Sequence, residues 1–262
     1  MMLFCDIETL PDQTPGARDA YIADARANFR APSTLTKEQA AKDLGLTDAN
    51  EIKFTSKDAM IVRWQEEMSA TKAEEVGDAN WRKTSFDGMH GSIACICYAF
   101  DDGHVFSVEN FGSEERMLAD FYDHIESWTG VEYVGGTANQ SMVVCGHNIA
   151  GFDLPFLKKR SIILQVKPTP PMLKSMNARP WDACIADTML MWDAKNMAGM
   201  DKLCKAFGLE GKGDIDGSMV ADLWQTDPAK VVEYCKGDVE RTRAMYKRMT
   251  FTGAAIELRV AA

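Results

Sequence analysis

The sequence predicts an α/β fold: a mixed sheet flanked by helices, with a helical insertion after the first strand. Three observations carry this. Apolar runs of strand length recur at residues 2–7, 92–100 and 142–146. Stretches with helical periodicity separate them. The run at 92–100, SIACICYAF, and one further run, HVFSV, are joined through Asp-Gly, a strong hairpin signal that adds an antiparallel pair to a sheet otherwise linked by helices.

Taken in order, residues 2–7 read as a short buried strand. Residues 13–90 are rich in Ala, Lys, Glu and Asp, with helical stretches around 16–29, 36–44 and 56–75. Thr36 to Gln39 (TKEQ) has the form of a capping box. The hairpin follows. Ser113 is placed to cap a helix whose Met117, Leu118, Phe121, Ile125 and Trp128 form one stripe. VGG marks a loop, MVVCG a strand, and HNIAGFDLPFLKKR a loop running into a helix. Residues 165–181 hold four prolines and are expected to be irregular. ACIADTMLMW reads as a strand turning into a helix, with helices following near 199–207 and 218–224. The last helix, about 228–249, begins after Asp227 with Pro228 at its first position. No internal repeat or low-complexity tract interrupts this order. The expected organisation is one domain over 1–262, with 13–90 inserted between the first strand and the hairpin.

Hydrophobic residues make up 46% and charged residues 26%, the balance of a globular protein. The longest apolar stretch, residues 93–100, is far too short to span a bilayer, so no membrane association is expected. The apolar start MMLFC meets Asp6 at once and lacks a basic flank, unlike a secretory signal. Seven cysteines, scattered through apolar runs without a CxxC pair, suggest buried thiols in a reducing cytoplasm. The net charge of −10 argues against nonspecific coating of nucleic acid. The charge is uneven, however. Residues 91–157 hold ten acids against one Arg, whereas residues 158–212 hold ten Lys/Arg against five acids and could face a phosphate backbone.

Asp6 and Glu8 stand two apart on the first strand, so their side chains share a face and repel. Such a pair is tolerated when solvated or when a cation lies between the acids. Asp238-Val-Glu240 has the same spacing but lies on a helix, where such positions diverge by about 200°. Asp153 starts a helix just after a strand. Tyr234 and Asp238 are four apart on one helix and share a face.

Together DIET (Asp6 to Thr9), NxxxFD (Asn148 to Asp153) and YxxxD (Tyr234 to Asp238) resemble the three exonuclease motifs of the DEDD superfamily, in its tyrosine subclass. The chain is similar to stand-alone relatives of the proofreading domain of family B DNA polymerases, from residue 2 to about 249 apart from the insertion. Glu233 stands where the histidine subclass would have its His. The resemblance implies a ribonuclease H-like fold and 3′→5′ hydrolysis of phosphodiester bonds. It also implies two Mg²⁺ or Mn²⁺ ions held by Asp6, Glu8, Asp153 and Asp238, since an all-carboxylate set without His or thiolate suits hard cations. Tyr234 would orient the attacking water. Thr9, Leu10, Asn148 and Phe152 would lie at the substrate, with Asn148 bracing the site and Leu10 wedged against the terminal base.

The expected substrate is DNA with a free 3′ end, single-stranded in the leading reading, and RNA is the alternative for the same site. A nucleic-acid-binding protein that keeps the fold without turnover is the second rival, disfavoured by the presence of all four acids and the Tyr. With few residues after the third motif, the enzyme is expected to act alone or with a replication or repair partner. The insertion could cover the sheet or form a lid over the 3′ end, with Trp64, Trp81 and Phe86 as candidates to stack on bases.

Overall fold

In the computed structural model, residues 1–129 and 142–252 are described; the loop expected at VGG lies outside them. The chain divides into two compact units, Met1–Leu10 with Ser85–Ala262, and Pro11–Thr84.

The first unit is built on a five-stranded sheet in the order β3-β2-β1-β4-β5. The strands are β1 (Met2–Leu10), β2 (Ser92–Phe100), β3 (Val105–Glu109), β4 (Val143–Gly146) and β5 (Ile185–Asp187). β1 pairs antiparallel with β2 and parallel with β4; β2 and β3 form the antiparallel hairpin, and β4 and β5 run parallel. This order, with a three-stranded antiparallel half and a parallel half, is the ribonuclease H-like fold.

Side-chain parity on β1 sorts the two layers. Leu3, Cys5 and Ile7 face a core shared with Ile96 and Tyr98 of β2 and with helices α5 (Glu114–Thr129) and α6 (Asp153–Ile163). From α5 come Met117, Leu118, Phe121, Tyr122 and Ile125, which are buried as the predicted stripe requires, whereas Trp128 is half exposed and stacks on Phe100. Phe4 and Leu10 face the other layer, with Cys95, Cys97 and Ala99 of β2. Helix α11 (Pro228–Thr250) covers that face with Val231, Val232, Cys235 and Val239. Asp6 and Glu8 have the parity of Phe4, so they too point toward α11. A bulge between Glu8 and Thr9 breaks the β1–β2 register just after the acidic pair.

Residues 165–181 are less irregular than expected. Helix α7 (Pro170–Met176) forms there because Pro170 and Pro171 occupy its first turn, where amide protons have no helical acceptor. Helices α8 (Thr188–Asp193), α9 (Met200–Phe207) and α10 (Val220–Thr226) complete this unit.

The second unit is wholly helical: α1 (Ala17–Asn28), α2 (Lys37–Asp43), α3 (Ala49–Phe54) and α4 (Lys57–Lys83). Thr36 caps α2 by accepting from the Gln39 amide, and α4 runs eight residues past its expected end at 75. The short α3 was not expected; it buries no residue and is held by its Asp48 cap. Gly77 lets α4 approach α1, since a Cβ there would lie 2.5 Å from the Ile22 Cα. Trp64 and Trp81 do not present faces for stacking. Trp64 is 2% exposed, stacks on Phe29 and donates to Asp43; Trp81 is 7% exposed and donates to the Asp12 carbonyl. Among the described residues no helix is long and apolar enough to cross a membrane.

Candidate active site

Three elements bring the predicted acids together. β1 carries Asp6 and Glu8, the start of α6 carries Asp153, and the middle of α11 carries Asp238. Asp153 is placed by a gap in the sheet. β4 pairs with β1 only as far as Phe4, which leaves the Ile7 amide without a ladder acceptor. Asp153 Oδ1 accepts that N–H at 3.1 Å, so the carboxylate continues the edge that β4 abandons.

The acids sense one another. Burial pushes Asp6 well above the carboxylate range, and the charges of Asp153, Glu8 and Asp238 push it further. Glu8 is raised well above its ordinary value by burial, then by Cys95 and Asp238. Asp153 is raised from 3.8 to about 7: burial dominates, its own and the Ile7 amide oppose, and Asp187 and Asp238 add to the rise.

Asp238 is different. It is 2% exposed but paired with two cations: Lys212 Nζ donates to Oδ2, and Arg241 Nη1 donates to Oδ1 at 2.9 Å. Lys212 Nζ also donates to the Tyr234 hydroxyl at 3.0 Å and lies over the Tyr234 ring. Burial, first, and the Asp238 charge hold the Tyr234 hydroxyl protonated, with its pKa raised to about 12 although Lys212 opposes. The loop carrying Lys212 is fixed from both sides. The Lys212 amide donates to Asp201, and Arg241 Nε donates to the Gly211 carbonyl. Sequence reading missed Lys212 and Arg241; the signals were the Lys between Gly211 and Gly213 and the Arg three residues past Asp238.

It also missed Asp187, which is 2% exposed at the end of β5. Its carboxylate accepts from the amides of Asn148 at 3.0 Å, Ala150 at 3.1 Å and Met189 at 3.0 Å. These bonds hold the turn before α6. Asn148 sits there in the left-handed region at φ 66, and its carbonyl accepts from Gly151 and Phe152. A Cβ on Gly151 would lie 2.5 Å from Asn148 Oδ1, so a larger residue there would displace the Asn148 side chain. Within this geometry Asn148 braces through its backbone. His147 Nδ1 lies 3.0 Å from Thr188 Oγ1, and burial lowers its pKa, which favours neutral imidazole.

The remaining predicted residues lie around this cluster. Thr9 donates through its hydroxyl to the Ser85 carbonyl at 2.8 Å. Phe152 is half-buried, packed edge-on against Phe86, which is 72% exposed. Leu10 is 4% exposed within the apolar layer under α11, so it packs the core and does not project as a wedge.

The donor set fits hard divalent cations, with one amendment. Four carboxylates, three of them without an ion-pair partner in hydrogen-bond reach and two of those, Glu8 and Asp153, buried, offer the oxygen ligands that Mg²⁺ or Mn²⁺ takes. The surroundings are not free of sulfur, however: Cys235 Sγ lies 3.5 Å from Asp6 Oδ2, and one ligand atom each from Asp6, Glu8 and Cys235 falls within 4.8 Å of the others. Burial pushes the Cys235 thiol well above its ordinary value, so it stands beside the acids as a neutral donor.

Residues 86–260 match the family described as "Predicted 3′-5′ exonuclease related to the exonuclease domain of PolB". No curated protein matches the chain. Among solved structures the chain is similar to the family B DNA polymerase from the hyperthermophilic archaeon Pyrobaculum calidifontis, with 19% identity and a TM-score of 0.46 over 63% of this chain. The match spans 22% of that polymerase.

Proposed function

Because the chain belongs to the family of predicted 3′-5′ exonucleases related to the exonuclease domain of PolB, we propose that it is a metal-dependent 3′→5′ exonuclease of the tyrosine subclass acting on single-stranded DNA. The observation that carries this reading is the cluster of Asp6, Glu8 and Asp153, acids whose pKa values burial and neighbouring carboxylates raise where a divalent cation would compensate them.

In this reading Asp6, Glu8, Asp153 and Asp238 hold two Mg²⁺ or Mn²⁺ ions. Bound there, the ions would activate water and stabilise the leaving 3′ oxygen. The chain's own residues do the positioning. Tyr234, fixed by Lys212, orients the attacking water through its hydroxyl. Lys212 and Arg241 hold the Asp238 carboxylate in place, one cation on each oxygen. Asp187 and Asn148 set the turn that aims Asp153. Phe86 and Phe152 offer an aromatic edge on which a base can stack, and Thr9 lies alongside. The helical unit Pro11–Thr84 corresponds to the insertion expected over 13–90, read here as part of a single exonuclease domain over 1–262. Seven buried free thiols fit a reducing compartment such as the cytoplasm.

The test compares single-stranded DNA and RNA of one sequence, each labelled at the 5′ end, incubated with the full chain and Mg²⁺. Stepwise shortening of DNA with release of nucleoside 5′-monophosphates is expected. Shortening of RNA alone would replace the substrate. Absence of cleavage of either, in protein that binds Mn²⁺, would remove the catalytic reading.

A further inference from the structure

β2 places Cys95 and Cys97 two residues apart, so both thiols leave the same face of the sheet. α11 lays Cys235 against them. All three are 0% exposed, and their sulfurs lie within 4.8 Å of one another. We propose that Cys95, Cys97 and Cys235 form a site for one thiophilic d¹⁰ cation of the Zn²⁺ class, with Asp6 as the fourth ligand, and that filling it shuts the neighbouring carboxylate site.

The geometry meets the demands of such an ion. For three sulfurs no more than 4.8 Å apart, there is a point no more than about 2.8 Å from each, against a Zn–S bond of about 2.3 Å. Each sulfur therefore moves by about half an ångström or less, within the reach of a χ1 adjustment. Asp6, whose Oδ2 lies 3.5 Å from Cys235 Sγ but which is grouped with Glu8 and not with Cys95 and Cys97, would turn toward the sulfurs to fill the fourth corner. Cys235 is the vertex common to the two clusters, since its sulfur is grouped both with the two β2 thiols and with Asp6 and Glu8. Asp6 is only half-buried, which makes the acid side the way in to sulfurs that are otherwise sealed.

Soft sulfur and hard oxygen partition the cations. Mg²⁺ gains little from thiolates and stays with carboxylates; a thiophilic ion takes the sulfurs. On binding, the cation replaces three thiol protons, which leave to solvent, and no electron is transferred. Disulfide chemistry fits less well. Cys95 and Cys97 are next-but-one neighbours on an extended strand, about 6.5–7 Å apart at Cα, at the limit for bridging. Oxidation of any pair would also need an oxidant.

The consequence for activity rests on the exonuclease reading: Asp6 drawn to the soft cation is no longer available to the Mg²⁺ pair. The metal site itself does not depend on that reading, and its test is spectroscopic. Reduced full-length protein in excess Mg²⁺ is titrated with Co²⁺. The site predicts one equivalent bound, with a thiolate-to-cobalt charge-transfer band that Zn²⁺ bleaches. The double variant Cys95→Ser/Cys97→Ser should lose the band and keep its Mg²⁺-dependent nuclease activity. Because two buried substitutions can unfold the chain, the single variant Cys97→Ala is measured alongside and should bind Co²⁺ more than about tenfold more weakly. One equivalent of Zn²⁺ should then cut wild-type nuclease activity by more than about tenfold, with little effect on the double variant. No band in folded wild-type protein, or wild-type affinity in Cys97→Ala, would overturn the site. A band without loss of activity would overturn the inhibitory role and leave the exonuclease reading standing.

Discussion

The Lys212 ammonium donates at once to the Asp238 carboxylate and to the Tyr234 hydroxyl, joining two residues of one motif through a third that lies outside it. Asp238 is thereby the one acid of the four whose charge is met by two cations within the chain, Lys212 and Arg241. Asp6, Glu8 and Asp153 instead face other carboxylates: Asp153 and Glu8 raise Asp6, and Asp238 raises all three. The four acids are therefore not interchangeable.

Removing a charge should separate them. Asp153→Asn keeps an oxygen for the Ile7 amide and relieves repulsion, so melting without metal should occur at higher temperature than in wild type. Asp238→Asn leaves Lys212 and Arg241 facing a neutral amide and should lower it, by about 3 kcal/mol in stability. Both variants should lose nearly all Mg²⁺-dependent cleavage. Thermal melts in chelator check the opposite signs; equal shifts would mean that the cations do not hold Asp238.

The acid cluster sets a pH dependence. Asp153 titrates near 3.8 unfolded and about 7 folded, so between those values the folded chain binds more protons than the unfolded one. Stability then falls as pH rises through this window. Asp6 and Glu8, also raised, act in the same direction. Chelated protein should melt at lower temperature at pH 7.5 than at pH 5.5, and Mg²⁺ should narrow the gap by compensating the ionised acids. Denaturant titrations at the two pH values, with and without Mg²⁺, test this.

Tyr234→Phe removes the hydroxyl that Lys212 holds and leaves the ring in place. As a positioning group it should lower kcat by about tenfold or more with little change in KM. Lys212→Met should do the same and also lower the metal-free melting temperature, because Asp238 keeps only Arg241. Steady-state kinetics with melts in chelator separate the two.

Phe86→Ala takes away an exposed ring and leaves Phe152 to the core. Base stacking contributes about 1–3 kcal/mol per base, so KM for single-stranded DNA should rise by about fivefold or more with kcat preserved. An unchanged KM would place the path of the strand elsewhere.

The legible parts of the site were those fixed by local periodicity. Parity on β1 dictates that Asp6 and Glu8 share a face, and helix spacing dictates the same for Tyr234 and Asp238. The hairpin, and the α5 stripe apart from Trp128, followed from the same reasoning. What stayed hidden depends on contacts far apart in sequence. Lys212 reaches Asp238 across 26 residues because its loop is tied to Asp201 and Arg241. Asp187 meets Asn148 only because β5 lies beside β4. The family resemblance, for Leu10, and aromatic character, for the two tryptophans, also misled. Leu10, Trp64 and Trp81 looked like ligands for bases, yet each has a core position or an indole acceptor that satisfies it. The cysteines of β2 and α11 carried no metal spacing, because their proximity arises from packing a helix on a sheet.

The most direct test follows a single-stranded DNA oligonucleotide, labelled at its 5′ end, in wild-type protein and in Asp153→Asn, with Mg²⁺ and with chelator. The account predicts a ladder shortening from the 3′ end in wild type with Mg²⁺, and no shortening in chelator or in the folded variant. Cleavage that persists in chelator, or in Asp153→Asn at the wild-type rate, would contradict it.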